Sequence, residues 1–299
     1  MGETKPAPPA ERVNAMTIDV EDYFHVTAFA STLDRAKWDS FESRVERNTR
    51  RLLDLFDEHG VKITFFVLGW VAERFPSLVC ELHASGHEVA CHGLTHELVY
   101  QQTPEVFRSE TDRAKSLLQD LIGAPVRGYR AASYSITTAS AWALDILADL
   151  GFEYDSSIFP VRHDLYGMRD APRSPHCVAS GRLLEVPLTT VDIGGRRLPC
   201  AGGGYFRLFP YAFIRWCLRR VNAEGMSSVF YLHPWEIDPD QPRFRDAPLK
   251  SRFRHYTNLE RAENRLRRLL LDFRWGRMDE VFLDRAAPSV LAAVAAAGG

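Results

Sequence analysis

Three carboxylates, Asp19, Glu21 and Asp22, fall within four positions of the segment NAMTIDVEDYFHV. They follow a short apolar run, Ala15, Met16 and Ile18, that reads as a strand. Desolvating an unpaired carboxylate is costly, so such a cluster at a strand end means a cation, a proton-transfer task or exposure to solvent. Further on, CHGLTH offers His92 and His96 four positions apart. On a turn of helix that spacing brings both imidazoles to one side, where they can share a cation. The pair alone is common by chance. Joined to a carboxylate, it becomes a three-ligand set for a catalytic metal with one position open to water. One carboxylate would then bind the ion and another would take a proton from water. The bland alternative is a solvated acidic turn.

Other polar residues fall at expected strand ends. His233 ends SSVFYLHPWE and reads either as a buried, hydrogen-bonded histidine or as a general acid that protonates a leaving group. Arg130 could hold a catalytic carboxylate ionised, or form a surface ion pair. Asp155 could orient His233, or cap the serines that follow it. His87 stands at the opposite, N-terminal end of its strand and reads as structural.

Positioning these groups falls to alternating strand-like and helix-like segments. RNTRRLLDLFDEHG has one apolar face and ends at glycine, as an amphipathic helix does. VKITFFVLG is almost continuously apolar, as a strand buried on both faces must be. HEVACH, VRGYRAASYSI, FEYDSS, LLEVPLTT and SSVFYLHPWE read as further strands. PEVFRSETDRAKSLLQDLIG, opened by proline and closed by glycine, reads as a helix, as do TTASAWALDILADLG and YAFIRWCLRRVNAEG. This β-then-α order predicts a parallel sheet or closed βα barrel of about seven units before residue 240, with functional side chains where strands end. Residues 241–257 read as polar and irregular. NLERAENRLRRLLLDFR then reads as a helix whose arginines form a solvated face. In CAGGGYFRLFP, three glycines with Tyr205 and Phe206 suggest a loop bordering a groove or a structural turn; the spacing fits no phosphate-binding pattern.

At 299 residues and a net charge of −2, the chain has no overall footprint for nucleic acid or an anionic membrane surface. No apolar run is long enough for a membrane span, and the polar, proline-rich start carries no secretory signal. Five scattered cysteines without a CxxC pair predict reduced thiols and a cytoplasmic location.

Taken together, the motifs resemble those of the NodB-homology polysaccharide deacetylases, carbohydrate esterase family 4. The branch associated with exosortase and PEP-CTERM loci is the most similar, through the tail HYTNLERAENRLRRLLLDFRWGRMDEV. The resemblance implies an α/β chain folded as a distorted (β/α)7 barrel with a C-terminal helical extension. It implies a disordered tail over residues 1–13, one deacetylase domain over 14–283 with the extension from about 241, and a second tail over 284–299. TIDVED supplies Asp19 as base, HxxxH supplies His92 and His96 as metal ligands, and RAASY supplies Arg130 to brace the base. A backbone N–H near Tyr134 helps form the oxyanion hole, Asp155 is the fourth-motif aspartate, and YLHP supplies His233 as acid. The family's adjacent aspartates are replaced here by Asp19-Val20, and Ala132 stands where proline is usual. The third ligand is expected to be Asp22, because strand alternation puts Glu21 on the side of Asp19; Glu21 is the alternative. The implied cofactor is a divalent metal, zinc foremost. The implied reaction is hydrolytic N-deacetylation of amino sugars in an exopolysaccharide or its precursor. Tyr205 and Trp235 are candidate substrate contacts, although Trp235 suits packing better. Polysaccharide synthesis machinery is the implied partner. A non-sugar amide hydrolase of the same fold and a non-catalytic polysaccharide-binding or synthase-partner protein are the rivals.

Overall fold

VNAMTIDV is buried along almost its whole length because it forms the central strand, β1 (Val13–Val20). In this computed structural model, which describes residues 12–162 and 166–284, β1 has strands on both sides. Parallel neighbours are β2 (Thr64–Val67) and, across the other edge, β10 (Val229–Leu232). The path continues through β3 (Glu88–Cys91), β4 (Gly128–Tyr129), β5 (Tyr154–Asp155) and β7 (Leu183–Glu185), all parallel, and ends on the antiparallel β6 (His176–Val178). The seven strands from β10 to β7 along this path run parallel in a curled, half-barrel sheet, consistent with the distorted barrel that the alternation of segments predicts. Every residue of β2, β3 and β10 is buried, hence their mainly apolar sequences, with Thr64 and Glu88 at the first positions of β2 and β3 as the polar exceptions.

Helices α1 (Val45–Glu58), α2 (Gly69–Arg74), α3 (Pro76–Ala84), α4 (Pro104–Ile122) and α5 (Trp142–Asp149) fill the crossovers among β1–β5. α4 starts at proline behind the Thr103 cap and ends at Gly123, which takes the left-handed conformation (φ 65°) that suits glycine. LLEVPLTT is not one strand. Pro187, with no N–H to donate, separates β7 from β8 (Thr190–Ile193), which forms a hairpin with β9 (Arg196–Pro199). Helices α6 (Gly203–Leu208) and α7 (Tyr211–Ala223) lead to β10.

The segment expected to be irregular contains a helix, α8 (Leu249–Tyr256). It is followed by α9 (Leu259–Asp272) and β11 (Arg274–Gly276), which pairs with the start of β1. α9 buries Leu259, Leu266, Leu269 and Leu270, so the extension shares the main core. Val13 and Asp284, assigned to tails from sequence, belong to β1 and to a π-helical turn (Glu280–Asp284). The rest of both expected tails, except Arg12, lies outside the described residues. All five cysteines are free thiols.

At the N-terminal rim of the sheet, Glu88 accepts from Thr64 Oγ1 (2.5 Å), Tyr154 OH (2.9 Å) and the Asp279 N–H (3.1 Å). Burial, with Asp279 adding repulsion, raises its carboxyl to about 7. A raised carboxyl pKa favours the fold most below the ordinary carboxyl range, and that contribution is lost as pH climbs through the folded value. Glu88→Gln cannot ionise, so its urea-unfolding stability should fall less than wild type between about pH 5 and about pH 8. Equal losses in the two proteins would show that Glu88 is not the titrating group.

Candidate active site

Four of the parallel strands deliver a polar side chain at the C-terminal rim of the sheet. Asp19 is the penultimate residue of β1, His92 follows β3, Arg130 follows β4 and His233 follows β10. Asp19, His92 and His233, with Glu21, His96 and Tyr134, wall a cleft of about 780 Å³, open solvent included, and Arg130 lies buried behind Asp19.

The position expected to hold the base is over-determined. Asp19 is 1% exposed, and its Oδ1 meets Arg130 Nη1 at 2.7 Å. Arg130 is itself fully buried against the Phe66 ring and held by Thr17 Oγ1, Ser156 O and Ser156 Oγ. Burial would raise the Asp19 carboxyl, but the Arg130 guanidinium, with His92 and His233, outweighs it and keeps the pKa low. The other oxygen, Oδ2, accepts from Tyr134 OH at 3.3 Å.

Glu21, His92 and His96 bring one ligand atom each within 4.8 Å of one another. His92 Nδ1 lies 2.8 Å from Arg130 O. A carbonyl only accepts, so Nδ1 carries the hydrogen and Nε2 keeps a lone pair free for a ligand. Burial pushes His92 down to about 4, which favours that neutral form. Glu21 Oε2 lies 2.7 Å from His96 Nε2 yet completes no hydrogen bond, an orphaned buried oxygen among the described residues. Two imidazoles and an orphaned carboxylate oxygen facing one point fit a divalent metal. His96 adopts φ 55°, an uncommon conformation for a residue other than glycine, as do Ser133 and Tyr134 across the cleft.

Asp22, the ligand expected from sequence, points away. Its Oδ2 accepts from Ser43 Oγ (2.6 Å), Arg44 N (2.8 Å) and Val45 N (3.1 Å), and Oδ1 from Tyr23 N (3.0 Å). That carboxylate caps the first turn of α1, where anionic charge meets unpaired N–H groups. The turn is locked by His25, whose Nδ1 accepts the Asp22 N–H at 2.9 Å. Glu21 therefore stays on the Asp19 side and joins the histidines.

Asp155 does not touch His233. It sits beside Glu185, its partner in register on β7, and burial raises both carboxyls. Through Ser157 Oγ, which donates to Asp155 Oδ1 and accepts from Ala131 N, it fastens the RAASY loop instead. The oxyanion donor is expected from a backbone N–H near Tyr134, and the N–H of Tyr134 itself is engaged with Ala131 O at 3.1 Å.

The residue that orients His233 is Glu236, unanticipated from the sequence. His233 Nδ1 donates to Glu236 Oε1 at 2.8 Å, while Nε2 lies 3.8 Å from Asp19 Oδ2 and 3.6 Å from Glu21 Oε1. Burial works against the charged imidazole, but Glu21, Glu236 and Asp19 raise it to about 9. Glu236 is anchored by buried Arg207, Nε to Oε2 at 2.7 Å. The spacing was a legible clue: His-Pro-Trp-Glu has proline at the first position of a turn and glutamate at the third, a capping-box pattern.

Trp235 reaches the cleft as a wall. His233 and His255 stack on it at 5.2 and 4.1 Å, and its Nε1 donates to Glu21 Oε1 at 3.3 Å. Tyr205 stands behind the wall, its hydroxyl 3.4 Å from that of Tyr166, which lines the cleft. The glycine run makes room. A Cβ at Gly202 would overlap the Tyr231 ring, and one at Gly203 would overlap the Glu236 carboxylate.

The family model described as polysaccharide deacetylase matches residues 25–154, and a domain of unknown function, DUF3473, matches residues 156–283. A peptidoglycan deacetylase-like protein of Gibberella zeae is 34% identical over 110 residues, 36% of this chain and 32% of that protein. A chitooligosaccharide deacetylase of a Bradyrhizobium species is 31% identical over 100 residues, 33% of this chain and 43% of that protein. The chain spans about a third of the length of the first curated relatives it matches. A crystal structure provisionally named a polysaccharide deacetylase, from Mycobacterium smegmatis, superposes with a TM-score of 0.60 at 20% identity over 97% of this chain and 94% of that one, a likeness of fold. Residues 25–154 of this chain thus carry a polysaccharide deacetylase domain, the kind that the NodB-homology motifs resemble. The His233–Glu236–Arg207 group falls inside the stretch that matches the domain of unknown function.

Proposed function

We propose that this protein hydrolyses the N-acetyl group of amino sugars in a polysaccharide or its precursor. The observation that carries the reading is the meeting of Asp19, paired with Arg130, and His233, paired with Glu236, across the Glu21–His92–His96 cluster. A divalent ion held by those three residues, zinc foremost, would supply Lewis-acid activation of water and of the amide carbonyl. Asp19, kept ionised by Arg130 and turned by Tyr134, takes the proton of the attacking water. His233, held by Glu236, gives a proton to the departing nitrogen, so that the amide C–N bond breaks to acetate and a free amine. The exopolysaccharide-locus association, the partnership with synthesis machinery and the cytoplasmic location expected from the sequence belong to this proposal. Among the described residues no helix is long and apolar enough to cross a membrane.

The test is acetate release from N-acetylglucosamine oligomers and peptidoglycan fragments by metal-loaded protein. Acetate formed, and abolished by chelation, supports the proposal. A metal-loaded protein that releases acetate only from small non-sugar amides would make it an amide hydrolase of the same fold. Tight sugar binding without turnover would make it a binding protein.

Gly203→Ala tests the positioning of the acid. Its methyl group must displace the Glu236 carboxylate, and a shift of about 1 Å near reacting groups costs on the order of 10²-fold in rate. The variant should lose roughly that much kcat while bound metal, measured by elemental analysis, stays at the wild-type level.

A further inference from the structure

Helix α8 faces the wrong way for a packed helix. It buries His255 and packs half-buried Tyr256 against Phe29, yet turns Leu249 and Phe253 outward: Leu249 is 79% exposed and Phe253 63%. Four positions apart, they share one helix face. A lone exposed leucine is ordinary, but two aligned large apolar residues on one helix face are not.

The surroundings carry one sign of charge. Arg243, Arg245, Lys250 and Arg254 are exposed and Arg252 is half-buried, against a single carboxylate, Asp246, over residues 243–256. None of these five cations pairs with a carboxylate among the described residues. Elsewhere on the surface Arg108, Arg182 and Arg267 do. The net charge of −2 hides this local excess.

The helix is also held firmly and close to the cleft. Buried Arg207 donates to Arg254 O (3.1 Å) and His255 O (2.9 Å), fixing the last turn of α8. Arg254 and His255 line the cleft itself.

We propose that α8 is an interfacial helix that seats this protein on an anionic lipid surface. Leu249 and Phe253 enter the acyl boundary, the five cations meet the headgroups, and the cleft opens beside the contact. Apolar residues flanked by Lys and Arg are the pattern such helices use. A second copy of the chain fits less well, because a two-fold contact through this face would press like charges together. The proposal holds whatever chemistry the cleft performs. If the cleft deacetylates sugars, it would meet those carried at a lipid surface.

The experiment is co-sedimentation of the full chain with phosphatidylcholine vesicles, with and without about 30% phosphatidylglycerol. Binding to the anionic vesicles is expected to exceed binding to the neutral ones by about tenfold or more, and to weaken with salt. Leu249→Ser/Phe253→Ser should lower it by about tenfold or more, with an unchanged thermal midpoint because both side chains are exposed. Arg245→Glu/Lys250→Glu should lower binding to the anionic vesicles alone. No binding to either vesicle, equal binding to both, or binding unaffected by the serine substitutions would overturn the proposal. So would a monomer–dimer equilibrium that the serine variant abolishes, which would assign the face to a second copy.

Discussion

Asp19→Asn is expected to lower kcat for deacetylation by about 10³-fold, within the range that a positioned general base contributes. Asparagine keeps the size and one carbonyl oxygen, so it can still accept from Arg130 or Tyr134. It cannot take a proton from water. The change also leaves the buried Arg130 charge without its counter-ion, a cost of about 3–5 kcal/mol in unfolding free energy where one partner of a buried pair is removed. The two effects separate experimentally. Metal content and the thermal midpoint report the folded fraction, and kcat corrected for that fraction reports the base. A corrected kcat within a few-fold of wild type would remove Asp19 from the chemistry. Glu21→Gln makes the companion measurement, because it should cost bound metal whereas Asp22→Asn should cost stability and leave metal in place.

Arg207→Met is expected to destabilise the fold by about 3–5 kcal/mol, as removal of one partner from a buried ion pair does. The guanidinium is 1% exposed and joins four groups. Nε meets Glu236 Oε2 at 2.7 Å, and the terminal nitrogens donate to the carbonyls of Arg254, His255 and Thr257. Methionine fills similar volume but leaves the Glu236 carboxylate short of its main counter-charge and three carbonyls without a donor. Because those carbonyls end α8, the loss should appear first as faster amide exchange in residues 249–257, followed by a lower urea midpoint. An unchanged midpoint would mean that solvent replaces the guanidinium without penalty, and that Arg207 does not tie the extension to the acid.

Some parts of the site were legible because their cause is local. Asp19, His92, Arg130 and His233 stand at the ends of strands whose largely apolar sequences announce burial, and a parallel sheet sends such ends to one rim. Other parts depended on contacts no spacing encodes. Strand alternation correctly puts Glu21 on the Asp19 side, but choosing the ligand required knowing what claims Asp22. The claimant is the start of α1, Ser43 to Val45, which tertiary packing lays against that carboxylate. Asp155 likewise went to the RAASY loop through Ser157, leaving His233 to Glu236.

Hydrophobic periodicity and strand-end chemistry are properties of short stretches of chain, so the sequence by itself determined the α/β alternation, the helices α4, α7 and α9, and the roster of reactive side chains. Which carboxylate serves which partner, and whether α8 forms with its apolar face outward, depends on groups brought together from distant positions. Arg207 reaches Thr257 across 50 residues, and Arg130 reaches Asp19 across 111. Only the folded chain sets those distances, and in a buried site the nearest counter-charge decides what each ionisable group can do.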